Sequence, residues 1–316
     1  MLRSEHMLPP MFRALIAFVK LGRPKFLVGG FLLYALGSAL GSLAGVQIDW
    51  QRYLWGQAIV STIQLMTHYA NDYFDLEADR ANATPTQWSG GSRILPSGQL
   101  APGVALTAAL VLGAAALLIA VLASTRVHGA PLLLPIAVLM LSLSWAYSAP
   151  PLRLLSRGLG ELTTALVVTL LTPLLGFYVR TGALGVLPLL GCLPLCGLQF
   201  AMLLTIELPD AASDAALGKR TLVVRRGAEW GARCCAAIVA LSFAVLPLFV
   251  LLGLPWRVAA VAAVLAPLGA WHALRLLRGA FREPKNFGSL AFSSVALLAG
   301  TTLAELIGTL VTAHGS

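Results

Sequence analysis

The sequence predicts an all-α membrane protein: a bundle of nine transmembrane helices with two aspartate-rich motifs at cytoplasmic helix ends. Three observations carry that expectation. Of 316 residues 58% are hydrophobic and 11% charged, with a mean hydropathy of +0.83, where a soluble domain would carry roughly 25% charged residues. Apolar runs long enough to cross a bilayer, which takes about 20 residues each, recur along the whole chain. Seven of the 13 acids fall in two short segments, Asp72 to Asp79 and Glu207 to Asp214.

In order, residues 1–25 form a cytoplasmic leader carrying Arg3, Glu5, Arg13, Lys20, Arg23 and Lys25. The apolar run that follows lacks a small-residue cleavage site, so it reads as a retained first span and not as a removed signal peptide. The runs lie at 26–46, 53–70, 101–123, 131–148, 162–179, 184–206, 234–254, 258–274 and 288–311. Between the seventh and eighth stands only the turn Gly253-Leu254-Pro255-Trp256-Arg257. No polar linker separates two folded units, so residues 1–316 read as a single domain. Trp50, Trp55, Trp145, Trp256 and Trp271 fall near run ends, where indole rings anchor at the interface.

The net charge of +9 reports topology, not nucleic-acid binding. With nine spans, all of the 22 basic residues except Arg52, Arg126, Arg180 and Arg257 lie on the N-terminal side. The positive-inside rule then places the N-terminus and both acidic segments in the cytoplasm and the C-terminus opposite, in a multi-pass protein of a bacterial inner membrane. Cys192, Cys196, Cys234 and Cys235 sit in or beside apolar runs without a metal-ligand spacing and read as inert buried thiols. No obligate protein partner is implied.

The first acidic segment reads Asn71-Asp72-Tyr73-Phe74-Asp75-Leu76-Glu77-Ala78-Asp79. On one continuous helix Asp72, Asp75 and Asp79 share a face while Glu77 points away. Glu207, Asp210 and Asp214 repeat that spacing. The four runs between the two segments suggest a parallel four-helix repeat plus a ninth helix; the alternative is a low-symmetry bundle whose acidic ends converge. Clustered carboxylates repel unless a proton or cation neutralises them. Mg²⁺ suits them, since it takes one or two carboxylates plus waters and substrate phosphates. The cations that would grip phosphate oxygens follow each segment: Gly90-Gly91-Ser92-Arg93, then Arg153 and Arg157, then Gly218-Lys219-Arg220-Thr221. Each taken alone also fits topological charge.

These motifs resemble those of the UbiA superfamily of intramembrane prenyltransferases. Asn71 to Asp79 is similar to its first aspartate-rich motif, Asp210-Ala211-Ala212-Ser213-Asp214 with Lys219 to Arg225 to its second, and Tyr147 to Arg153 with Arg157-Gly158 to the loop after its fourth helix. The resemblance implies a helical bundle with a central cavity, in which Mg²⁺ and basic side chains hold an isoprenyl diphosphate while its prenyl group passes to an aromatic acceptor. Asp72, Asp75, Asp79, Asp210 and Asp214 are the implied metal ligands, with Glu207 where many relatives carry Asn. Asn71, Arg93, Arg153, Arg157, Lys219 and Arg220 are the implied diphosphate contacts. Tyr147 either shields the cation and orients the acceptor or simply packs at its helix end, and Pro151 stands where some members have Lys. His68 either lines the cavity or caps the packing.

The loop segments look most like the menaquinone-pathway branch, which uses 1,4-dihydroxy-2-naphthoate. Other acceptors consistent with the pattern are 4-hydroxybenzoate, homogentisate, chlorophyllide and a glycerol-phosphate lipid. A cation-coupled transporter is the alternative from another class, but its acids belong at mid-span. A hydrolase or cyclase acting on the same diphosphate would use the same ionising site. Glu305, within the last apolar run, is either a second polar site or an acid reaching the outer interface.

Overall fold

In the computed structural model, residues 9–82, 85–88 and 90–315 are described; Arg3 and Glu5 of the leader lie outside them. Among the described residues every regular element is helical. The leader contributes α1 (Pro10–Leu21), which begins at Pro10, where the missing N–H costs nothing. Then come α2 (Pro24–Ser42) and α3 (Trp50–Phe74), the latter capped by Asp49, whose carboxylate accepts from the Gln51 and Arg52 N–H groups. A short α4 (Leu76–Ala81) leads through a loop to α5 (Pro102–Arg126) and α6 (Leu133–Ser148).

The second half opens with α7 (Gly160–Thr181), whose middle turns, Ala165–Leu171, widen into a π-helix. Pro173 explains the widening. It has no N–H for the ladder, and the Thr172 hydroxyl donates back to the Val167 carbonyl at 2.9 Å. After α8 (Leu187–Glu207), the short helices α9 (Ala211–Ala216) and α10 (Leu222–Arg226) cross the end of the bundle. Then α11 (Ala228–Leu251), a pair bent by 43° comprising α12 (Trp256–Ala263) and α13 (Ala266–Leu277), and α14 (Phe287–His314) complete it.

The expectation of nine spans is not met. Among the described residues six helices are long and apolar enough to cross a membrane, α2, α5, α7, α8, α11 and α14, or seven if the bent pair counts as one. The α3 helix has the length but carries Gln51, Arg52, Gln57, Gln64, His68, Asn71 and Asp72. The α6 helix is apolar but has 16 residues, about 24 Å at 1.5 Å per residue, short of a 30 Å hydrocarbon core. Apolarity and length must coincide, and in these two helices they do not.

Packing follows membrane rules, with small residues inside and bulky ones outside. On α5, Ala105, Ala109, Ala116, Ala120 and Ala123 are buried while Leu110, Val111, Leu117 and Leu118 are exposed. Helices α2 and α7 cross closely because a Cβ on Gly37 would lie 1.8 Å from the Pro173 carbonyl oxygen, and one on Gly176 2.4 Å from that of Tyr34. A buried polar knot ties four helices together: His272 Nδ1 meets Ser293 Oγ at 2.8 Å, and Thr205 Oγ1 lies 3.4 Å from His272 Nε2 and 3.3 Å from Cys235 Sγ. All four cysteines are free. Trp50, Trp256 and Trp271 are exposed, whereas Trp55 and Trp145 pack against the core. Glu305 is buried with one oxygen unpartnered, one turn from the equally orphaned Thr309 hydroxyl, so it is a buried polar site and does not reach the interface.

Candidate active site

The two acidic segments meet at one end of the bundle, but not as two continuous helix faces. Helix α3 stops at Phe74; Asp75 caps it at φ −97° and ψ 5°, and Asp79 lies on the separate α4. In the same way Glu207 ends α8, Asp210 caps α9, and Asp214 sits inside α9. Among the described residues no three or more Asp, Glu, His or Cys side chains gather as a ready metal cage. The expected pair of aspartate-rich motifs, each on one helical face, is therefore corrected: the helices break, and the acids are held singly, mostly by the chain's own donors.

Asp72, 1% exposed, accepts from Arg23, from the Ser92 hydroxyl, and from the Ser92 N–H at 3.2 Å. Asn71 donates to Asp75 at 2.7 Å and to Ser148 Oγ at 3.1 Å. The Lys219 ammonium stands between the segments, 3.0 Å from Asp75 and 3.4 Å from Asp214. Asn82 donates to Asp210 at 2.9 Å. Arg93 bonds the Asp79 backbone carbonyl, while Asp79 Oδ2 has no partner. That oxygen is pressed against Gly91, where φ is +72° and a Cβ would sit 1.9 Å away; only glycine fits.

The charges are perturbed as this crowding requires. Burial, then the neighbouring Asp75, pushes the Asp79 carboxyl up to about 7 against the pull of Arg23, Lys219 and Arg93. Burial also raises Asp214. For Lys219 burial works against the charge, but Asp75 and then Asp214 outweigh it and raise its pKa.

Beneath the acids, Glu207 leaves both carboxylate oxygens unpartnered, and Glu161 one. The other Glu161 oxygen accepts from the Leu222 N–H at 3.2 Å, tying α7 to α10. Orphaned oxygens and an ammonium held between two carboxylates show that the donor chemistry fits a hard cation.

A cavity of about 430 Å³ extends from this end into the bundle. Arg23, His68, Asn71 and Tyr147 line its polar end; Val60, Ile63, Met140, Val167, Leu203 and Leu298 line its apolar body. His68 therefore does both things expected of it, since its Nδ1 also lies 2.7 Å from the Gly22 carbonyl oxygen. Arg153, Arg157 and Arg220 are exposed. Arg157 donates to the Pro151 carbonyl, and the Arg220 backbone N–H bonds Ser156, so these three are not drawn to the acids as Lys219 and Arg93 are.

Sequence reasoning missed Arg23, Ser92, Asn82 and Glu161. Arg23 was counted as topological charge, although the Arg23-Pro24 step, with Arg23 at φ 48°, starts α2 beside Asp72. Ser92 stands inside the Gly90 to Arg93 segment, which was read for its cation alone, and nothing in the sequence marks Asn82 or Glu161.

The fold has solved counterparts. A digeranylgeranylglyceryl phosphate synthase matches with TM-score 0.65 at 19% identity, covering 94% of this chain and 99% of that chain. A UbiA homolog from Archaeoglobus fulgidus bound to DMAPP and Mg²⁺ matches with TM-score 0.57 at 15% identity, covering 91% and 98%. The apo UbiA homolog from Aeropyrum pernix K1 matches with TM-score 0.64 at 17% identity, covering 85% and 96%. At these identities the likeness is one of fold. No curated protein matches the chain. The model of the UbiA prenyltransferase family matches residues 31–310, nearly the whole membrane bundle, and the chain belongs to that family.

Proposed function

We propose that the protein transfers a polyprenyl group from an isoprenyl diphosphate to an acceptor held in the cavity, with Mg²⁺ as its metal. The observation that carries this reading is the Lys219 ammonium joining Asp75 and Asp214 beside a largely apolar cavity. A site for opposite charges thus adjoins a space for a lipid tail. Family membership and the likeness to a homolog that binds DMAPP and Mg²⁺ support it.

Asp72, Asp75, Asp79, Asp210 and Asp214 are the proposed metal ligands, with Glu207 beneath them. Mg²⁺, when bound, supplies positive charge to the departing pyrophosphate. Lys219 and Arg93 take phosphate oxygens as the bond from prenyl C1 to oxygen breaks and pyrophosphate leaves with the electron pair. The apolar wall keeps water from the allylic cation, and Tyr147 faces it from the cavity end. The acceptor's oxygen or ring carbon then bonds to C1 and releases a proton. The acidic end is read as cytoplasmic, in keeping with Arg23, Arg93 and Lys219 gathered there.

For the acceptor, the comparisons favour a glycerol-phosphate lipid, the substrate class implied by the name of the digeranylgeranylglyceryl phosphate synthase. The second reading, 1,4-dihydroxy-2-naphthoate, is supported by the Gly90 to Gly98 segment and the Lys219 to Arg225 run. An acceptor panel of these two compounds with 4-hydroxybenzoate and homogentisate, analysed by product mass, tests the assignment. Prenylated product is expected from one of the first two. Product from 4-hydroxybenzoate or homogentisate alone would overturn both readings.

A further inference from the structure

The cavity is electrically one-sided. Among the described residues its lining includes Arg23 and Lys25 but no Asp or Glu; Arg23 is already matched by Asp72, and the Lys25 ammonium donates to the Gln87 carbonyl but has no carboxylate partner on this wall. Two N–H donors of the same wall are buried and unpartnered, Arg23 Nε and Trp88 Nε1. Unsatisfied buried donors are costly to maintain and call for an acceptor. Among the described residues the unpartnered polar atoms of this wall are donors, which suits an oxyanion.

Its position separates it from the diphosphate. Lys219 and Arg93 already attend the acidic segments, whereas Lys25 lies over the Trp88 ring at 4.6 Å and the Phe26 ring at 5.0 Å. Trp88 in turn packs on Phe26 at 5.9 Å and on Phe292 at 6.4 Å. Phe292 and Val28 are large exposed apolar side chains, so this rim of the cavity faces lipid. An amphiphile entering sideways would bring its headgroup to Lys25 and its body into the apolar space.

We infer that Lys25 and the Trp88 indole N–H, with Arg23 Nε behind them, hold an oxyanion carried by the acceptor, a carboxylate or a phosphate, at the lipid-facing mouth of the cavity. This rests on the transferase reading and adds a specificity rule to it: the acceptor must be anionic. Phe26, Trp88 and the Lys25 stem hold the ammonium in place, and charge-assisted bonds supply the discrimination.

The test uses the full chain in lipid nanodiscs with Mg²⁺ and geranylgeranyl diphosphate, offered two matched pairs. One is a prenyl glycerol phosphate and its dephosphorylated alcohol; the other is 1,4-dihydroxy-2-naphthoate and 1,4-naphthohydroquinone. The inference expects turnover of the anionic member of one pair over its neutral partner, which also tells phosphate from carboxylate. Lys25→Ala should raise the KM for that acceptor by about ten- to a hundredfold. Trp88→Phe should raise it less, Lys25→Arg should restore it, and the KM for geranylgeranyl diphosphate should stay where it was. Equal use of neutral and anionic members overturns the inference, as does a Lys25→Ala effect confined to the diphosphate KM, while prenyl transfer itself still stands. Absence of diphosphate consumption with every acceptor overturns the transferase reading and this inference with it.

Discussion

The Lys219 ammonium lies 3.0 Å from the Asp75 carboxylate, joining segments that the sequence separates by most of the bundle. Asp214 lies 3.4 Å away on the other side. Both partners are largely buried, with 14% and 13% of their side-chain surfaces exposed, so the contact is shielded from screening by solvent. The cation that joins these carboxylates is, in the proposed reaction, the one that takes phosphate oxygens. Replacing it with Lys219→Ala should lower turnover by about 10²–10³-fold, the usual cost of removing one preorganised donor from a transition state. Steady-state rates on labelled prenyl diphosphate check this, and a change of less than a few-fold would remove Lys219 from the site.

Arg23 should matter first for stability. Asp72 is 1% exposed and depends on Arg23 for its charge balance. Arg23→Ala leaves that carboxylate buried without a cation, at a cost of about 3–5 kcal/mol. Thermal unfolding in detergent should show the loss, and Arg23→Ala with Asp72→Asn together should recover part of it.

Gly91 is held by geometry alone. At φ +72°, with a Cβ destined for 1.9 Å from Asp79 Oδ2, Gly91→Ala should strain the loop by about 1–3 kcal/mol and displace Asp79. Isothermal titration with Mg²⁺ should show weaker binding than for the unaltered protein, whereas Gly98→Ala, also at positive φ but with open space around it, should strain its turn without touching the metal.

The pH dependence follows from Asp79, which moves from 3.8 to about 7 on burial. The folded metal-free protein therefore binds this proton more tightly than the unfolded chain. Its contribution to stability is present in full below about 4 and is lost as pH rises through about 7. Melting curves in EDTA should fall across that window, and Asp79→Asn should flatten the slope. Mg²⁺ competes with the same proton, so its affinity should rise over the same interval.

Much of this was legible in the sequence, because membrane burial and charge are both strongly patterned. The two acidic segments are legible as matched clusters after apolar runs, while their convergence is one of two arrangements that the sequence allows. What was not legible depended on several properties coinciding in one element. Trp50–Phe74 is long but polar, and Leu133–Ser148 apolar but short, so neither qualifies as a span although each contains an apolar run. The helix break at Asp75 has no proline or glycine to announce it. Arg23 and Arg153 bear the same charge in the sequence, yet one is fixed on a buried aspartate and the other is exposed; only the path of the backbone tells them apart.

The most direct test of the account is metal-dependent release of pyrophosphate from labelled geranylgeranyl diphosphate by the protein in nanodiscs, with a prenylated product identified by mass. The account predicts consumption with Mg²⁺, none in excess EDTA, and none in Asp75→Asn or Asp210→Asn protein that remains folded and membrane-inserted. Full activity in EDTA, or near-normal transfer by either variant, would contradict it.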